Sequence, residues 1–156
     1  MPRYNHDPSA VTTSLTVLPK DSYEFLCGRP KAFERTAKAG HQSYGVRIPL
    51  TVQGGPMNGK KTVFSMYLHS EGGAQMAKRF QIAVWGKTVN EKNEKEFDAF
   101  AVTEDWSFDT ETGEVGSGWA AYEGMSVACD VDVEIIQNDK GEDVESQQWG
   151  TWVPVG

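Results

Sequence analysis

A chain of 156 residues with 38% apolar and 24% charged residues has the length of one ordinary domain and the apolar content for a packed core, which excludes wholesale disorder. No apolar run approaches the ~20 residues of a membrane-spanning helix, and residues 1–19 lack the charged start and apolar block of a signal peptide. The two cysteines, Cys27 and Cys129, form no CxxC pair, so neither a disulfide framework nor a zinc knuckle is expected, and an intracellular, reduced protein is. The formal net charge of -7 hides a division. Residues 1–87 hold 12 of the 15 basic and 5 of the 22 acidic residues, a net of +7; the remainder holds 3 basic and 17 acidic, a net of -14. Such asymmetry between halves hints at nucleic-acid contact on the basic side.

Residues 1–17 are polar and aperiodic and read as a flexible arm, leaving residues 18–156 as the domain. Residues 21–36 (DSYEFLCGRPKAFERT) alternate weakly and read as a long, bent first strand with a bulge at Gly28. In residues 43–53, Val46, Ile48, Leu50 and Val52 alternate with Arg47, Pro49 and Thr51, the clearest strand of the chain. Gly54-Gly55-Pro56-Met57-Asn58-Gly59 is a turn. Residues 60–69 alternate again, with Phe64, Met66 and Leu68 on one face and Val63, Ser65, Tyr67 and His69 on the other. Met76, Phe80, Ala83 and Val84 then recur at helical spacing and predict an amphipathic helix ending at Gly86.

The acidic stretch 88–118 reads as an irregular connection with a short helix near Phe97 and Phe100. Residues 125–136 alternate through Val127, Cys129, Val131, Val133 and Ile135, Asn138-Asp139-Lys140-Gly141 is a hairpin turn, and residues 144–155 form a last strand. The expected fold is mainly all-β: a five-stranded OB-fold-like Greek-key barrel with one helix after the third strand, the element order of a fold that binds oligonucleotides.

In layout the chain resembles a group of small bacteriophage proteins of replication and recombination, single-stranded DNA-binding proteins with an OB-type barrel. The resemblance rests on the opening tyrosine strand at 18–25, the Lys/Gly turn and alternating strand at 38–52, the glycine turn and third strand at 55–68, the helix ending at Gly86 and the glycine-led strand pair at 124–154. It implies a non-enzymatic, sequence-independent single-stranded DNA-binding protein in the cytoplasm of a bacterial host cell, needing no cofactor and no membrane. Implied partners are single-stranded DNA, replication or recombination proteins, and further copies of the chain. Many such proteins recruit partners through an acidic C-terminal tail; here the acidic block 91–114 is the candidate for that role.

The residues agree with this class of ligand. Cations neutralise phosphates and flat rings stack on unpaired bases, so single-stranded DNA calls for both types together. Tyr23, Arg29, Lys31, Phe33, Arg35 and Lys38 lie on the first strand and its turn, and Tyr44, Arg47, Lys60, Lys61 and Tyr67 on the next two. Tyr44 and Tyr67 are read on the side away from the aliphatic set, Phe64 as core, and Trp149 as the outward member of the pair Trp149 and Trp152.

Two rival readings remain. Asp130, Asp132 and Glu134 line one strand face and suggest a metal-dependent nuclease. The basic face also suits an adaptor meeting an acidic protein. The run from Gly54 to Lys61 falls short of a phosphate loop, because Lys61 replaces the Ser/Thr and a strand follows where a helix is needed. His6, His41 and His69 are scattered and read as surface residues.

Overall fold

A computed structural model describes residues 17–36, 40, 42–138 and 140–155. The arm expected at 1–17 lies almost wholly outside these. Among the described residues the architecture is mainly β, a single antiparallel sheet of six strands with three helices. The strands are β1 (Asp21–Cys27), β2 (Lys31–Thr36), β3 (Gln42–Gln53), β4 (Lys61–Tyr67), β5 (Ser126–Gln137) and β6 (Asp143–Val153); the helices are α1 (Glu71–Val84), α2 (Glu91–Ala101) and α3 (Ser117–Ala120). One edge of β3 carries both β1 and β2, its other edge carries β4, and β1 continues through β5 to β6.

The sixth strand arises because the expected first strand divides at residues 28–30. Cys27 lies opposite Leu50 and Lys31 opposite Arg47, so three residues face two. That is a bulge at Gly28, whose N–H donates to the Pro49 carbonyl at 2.8 Å. The extra residue shifts the pleat by one. Tyr23, Phe25 and Cys27 turn inward before it and Ala32 after it, while Lys31, Phe33 and Arg35 turn outward.

The predicted inward faces of β3 and β4 hold: Val46, Ile48, Leu50, Val52, Phe64 and Met66 are all buried. Among the described residues no ladder joins β4 to β6, so the sheet is not closed by hydrogen bonds. Rings occupy the seam instead. Phe64 of β4 lies 4.7 Å from Trp152 and 5.4 Å from Trp149 of β6, centroid to centroid. Helix α1 packs against β4, β5 and β6 through Ala77, Phe80 and Ala83. Its start is capped by Ser70, whose Oγ accepts the Gly73 N–H at 3.2 Å. Met76, expected on the buried face, is exposed, and Ala77 takes its place.

The acidic connection is more ordered than expected: the short helix expected near Phe97 and Phe100 is present as α2, and α3 is added to it. Trp85, Phe97, Phe100, Trp106, Trp119 and Tyr122 form a second ring cluster beside α1. The loop after α2 covers the free edge of β2, where the Ala32 N–H donates to the Gly113 carbonyl at 2.9 Å. No helix among the described residues is long and apolar enough to cross a membrane.

Burial pushes the Cys27 and Cys129 thiols from 9.0 up to about 12 and raises Tyr122 further still. Folding therefore favours protonated thiols. That contribution is complete below pH 9, where unfolded thiols are protonated too, and is lost between pH 9 and about 12 as only the unfolded chain ionises. The urea midpoint is expected to fall as pH rises through this window, and to fall less in a Cys27→Ala, Cys129→Ala variant. Equal profiles for the two proteins would contradict the burial.

Candidate nucleic-acid interface

Residues directly opposed in an antiparallel ladder project to the same face. Phe33, Gly45 and Tyr67 form one such row across β2, β3 and β4, and Lys31, Arg47 and Ser65 form the next. The outer face of these strands thus gathers Lys31, Phe33, Arg35, Arg47, Lys61 and Tyr67 on the side opposite the aliphatic core. Gly45 makes the row possible. The Phe33 and Tyr67 rings meet edge-on at 5.4 Å on either side of it. A Cβ there would collide with the Met66 carbonyl oxygen.

The Arg47 guanidinium lies over the Phe33 ring, 4.4 Å from its centroid, a cation–π contact that holds the fork flat on the surface. Phe33 is consequently only 7% exposed while standing outside the main core, whereas Tyr67 is 39% exposed. Flat, charged Arg47 and open Tyr67 are the two surfaces on which a base can stack. Among the described residues no carboxylate lies within ion-pair distance of Lys31, Arg47 or Lys61. Lys78 makes the contrast: its ammonium bridges α1 to α2 through Asp98 at 2.8 Å and Glu94 at 3.1 Å, with its pKa raised chiefly by the Asp98 bond. The outward face of β1 and β5 carries the opposite sign, with Glu24, Asp130 and Asp132.

The other predicted residues divide. Arg29 is exposed in the bulge, Lys60 sits in the turn before β4, and Lys61 lies down β4 from Tyr67 by ~20 Å at ~3.3 Å per residue. Lys38 lies outside the described residues. Tyr23 does not join the face. It precedes the bulge, so it turns inward beside Phe25 at 6.1 Å, with its hydroxyl donating to the Pro19 carbonyl at 2.7 Å. Tyr44 shares the parity of Val46 and lies on the core side at the strand end, where it is 40% exposed between His69 at 5.8 Å and Phe108 at 6.3 Å.

Trp149 is also turned inward. Cys129 opposes Trp152 and Val131 opposes Trp149, so β6 carries one extra residue opposite Asp130. This second bulge brings both tryptophans to the core side, stacked at 5.2 Å. His69, read from the sequence only as a scattered surface residue, lies beside this face. It follows Tyr67 by two, and its ring lies 5.9 Å from that tyrosine at the edge of the face.

The acidic strand face is employed structurally. The Asp130 carboxylate accepts the Thr151 N–H at 2.6 Å and so holds the second bulge. Asp132 accepts the Val133 N–H at 2.7 Å and sits 3.7 Å from Lys20 Nζ. Among the described residues no three His, Cys, Asp or Glu side chains are grouped to hold a metal ion. The glycine run at 54–59 is a hairpin turn, with Gly54, Gly55 and Gly59 at positive φ and the Asn58 side chain accepting the Gly54 N–H at 2.7 Å. No protein-family model matches the chain, and no curated protein matches it in sequence.

Proposed function

We propose that the protein binds single-stranded DNA without sequence selectivity, and that its sheet is an OB-type barrel left partly open between β4 and β6. The observation that carries this reading is the convergence of Lys31, Arg35, Arg47 and Lys61 with Phe33 and Tyr67 on one outer face of β2, β3 and β4. Strands at that position of an OB-fold carry oligonucleotides. The face offers phosphate neutralisation and stacking but few directional groups to read base edges, which suits a sequence-tolerant binder. In the setting the resemblance implies, the protein coats exposed strands during bacteriophage replication or recombination. No bond is made or broken in this reading.

Anisotropy of a labelled oligothymidylate against a duplex of equal length, across a salt series, tests it. Single-stranded binding is expected to be the tighter. Its logarithm should fall with log salt at a slope of about -3, the sum for four cations at about 0.7 per neutralised phosphate. Equal affinity for both forms, or no binding at low salt, would refute the reading.

A further inference from the structure

The ring cluster beside α1 is not packed solid. Trp85, Phe97, Phe100, Trp106 and Tyr122 line a cavity of about 60 Å³. That is roughly four times the ~15 Å³ that one water needs, and far below the ~300–1,000 Å³ of a drug-sized site. The space suits a headgroup of a few heavy atoms. Trp85 and Phe100 stand nearly parallel, 18° apart with centroids at 5.5 Å, while the other neighbouring rings meet at 45° to 67°. Two contacts hold the wall in place before any guest arrives. The Trp106 indole N–H donates to the Ala101 carbonyl at 2.8 Å, which spends the donor and leaves the ring as wall. A Cβ on Gly118 would come within 2.8 Å of that same ring, so glycine leaves the indole its place.

Glu104 is the one charged residue on the wall, and it is half-buried. Among the described residues no cation lies within ion-pair distance of it. Residues 91–123 hold ten acidic residues against two lysines, so the surroundings are negative as well. A neutral apolar guest would cover the Glu104 carboxylate without compensating it, which costs free energy. A bare ammonium is too strongly hydrated for a wall of rings. A cation clothed in methyl groups meets both demands: the ring faces attract its charge, the methyls fill the apolar space, and Glu104 balances the charge.

We infer that this cavity binds a quaternary ammonium group, carried either by a free small molecule or by a trimethylated lysine. The site shares no residue with the outer face of β2, β3 and β4, so it stands or falls independently of DNA binding.

Titration of the full chain with choline, followed through the nitrogen–proton signals of the tryptophan indoles, is the test. The signals of Trp85 and Trp106 are expected to move with a Kd on the order of 1 mM, while those of Trp149 and Trp152, which lie in the main core, stay in place. The neutral carbon isostere, with a tert-butyl group in place of the trimethylammonium, should bind roughly tenfold more weakly. Glu104→Gln keeps the size of the side chain and removes its charge; Trp85→Leu keeps the wall apolar and removes its π face. Each should weaken choline by roughly tenfold, with urea unfolding to check that both variants fold. A short peptide carrying trimethyllysine separates the two sources. Tighter binding than choline, lost in the unmodified peptide, identifies a ligand borne on a protein; equal or weaker binding identifies a free one. Choline that moves neither Trp85 nor Trp106 far above that concentration, an isostere that binds as tightly, or unchanged affinity in both variants would overturn the inference.

Discussion

Phe64→Ala is expected to cost about 3–5 kcal/mol of stability, the range for emptying a buried aromatic site. Phe64 is fully buried and touches Phe80 at 5.3 Å as well as Trp149 and Trp152. It also sits where β4 and β6 meet without a ladder, so no backbone hydrogen bonds remain to hold the seam once the ring is gone. Urea unfolding measures the loss. Tryptophan emission should shift to the red in the folded variant, since Trp149 and Trp152 lose their cover. A loss below about 1 kcal/mol would mean that the ring does not join the two edges.

Arg47→Ala and Tyr67→Ala are each expected to weaken binding of oligothymidylate by roughly 5- to 150-fold, the equivalent of about 1–3 kcal/mol per stacked base. Their salt dependence separates the two roles. Losing Arg47 removes a cation and should make the slope shallower by about 0.7, whereas losing Tyr67 should leave the slope unchanged. Neither change should lower the urea midpoint as Phe64→Ala does, because both side chains lie on the outside. Unchanged affinity in both variants would move the interface away from β3 and β4.

The sequence announced those parts of the molecule that follow one period over a whole element. Val46, Ile48, Leu50 and Val52 revealed β3, Phe64 and Met66 revealed the inner side of β4, and the glycines around Pro56 revealed their turn. Residues 74–85 were legible as a helix, which begins at Glu71 in the fold, although Met76 suggested a buried stripe one position out of place. The cationic members of the candidate interface were legible as a cluster, but their alignment was not. Arg47 lies over Phe33 because Phe33 faces Gly45, and that register is fixed by pairing between distant segments. Tyr23 and Trp149 were misplaced for one shared reason. Each lies beside a bulge, and a single added residue reverses which side chains face in while leaving composition untouched.

The bulge at residues 28–30 makes the opening strand a device with a fixed spacer. Its first half supplies rings to the interior and its second half supplies Lys31, Phe33 and Arg35 to the exterior, and one surplus residue separates the two assignments. Removing Arg29 would leave two residues facing two, an uninterrupted pleat in which Lys31 still opposes Arg47 and Lys31, Phe33 and Arg35 still face out. Closing the pleat with every residue kept would instead turn all three toward the hydrocarbon interior, so the opposite facing of Cys27 and Lys31 depends on the surplus residue being set aside in the bulge.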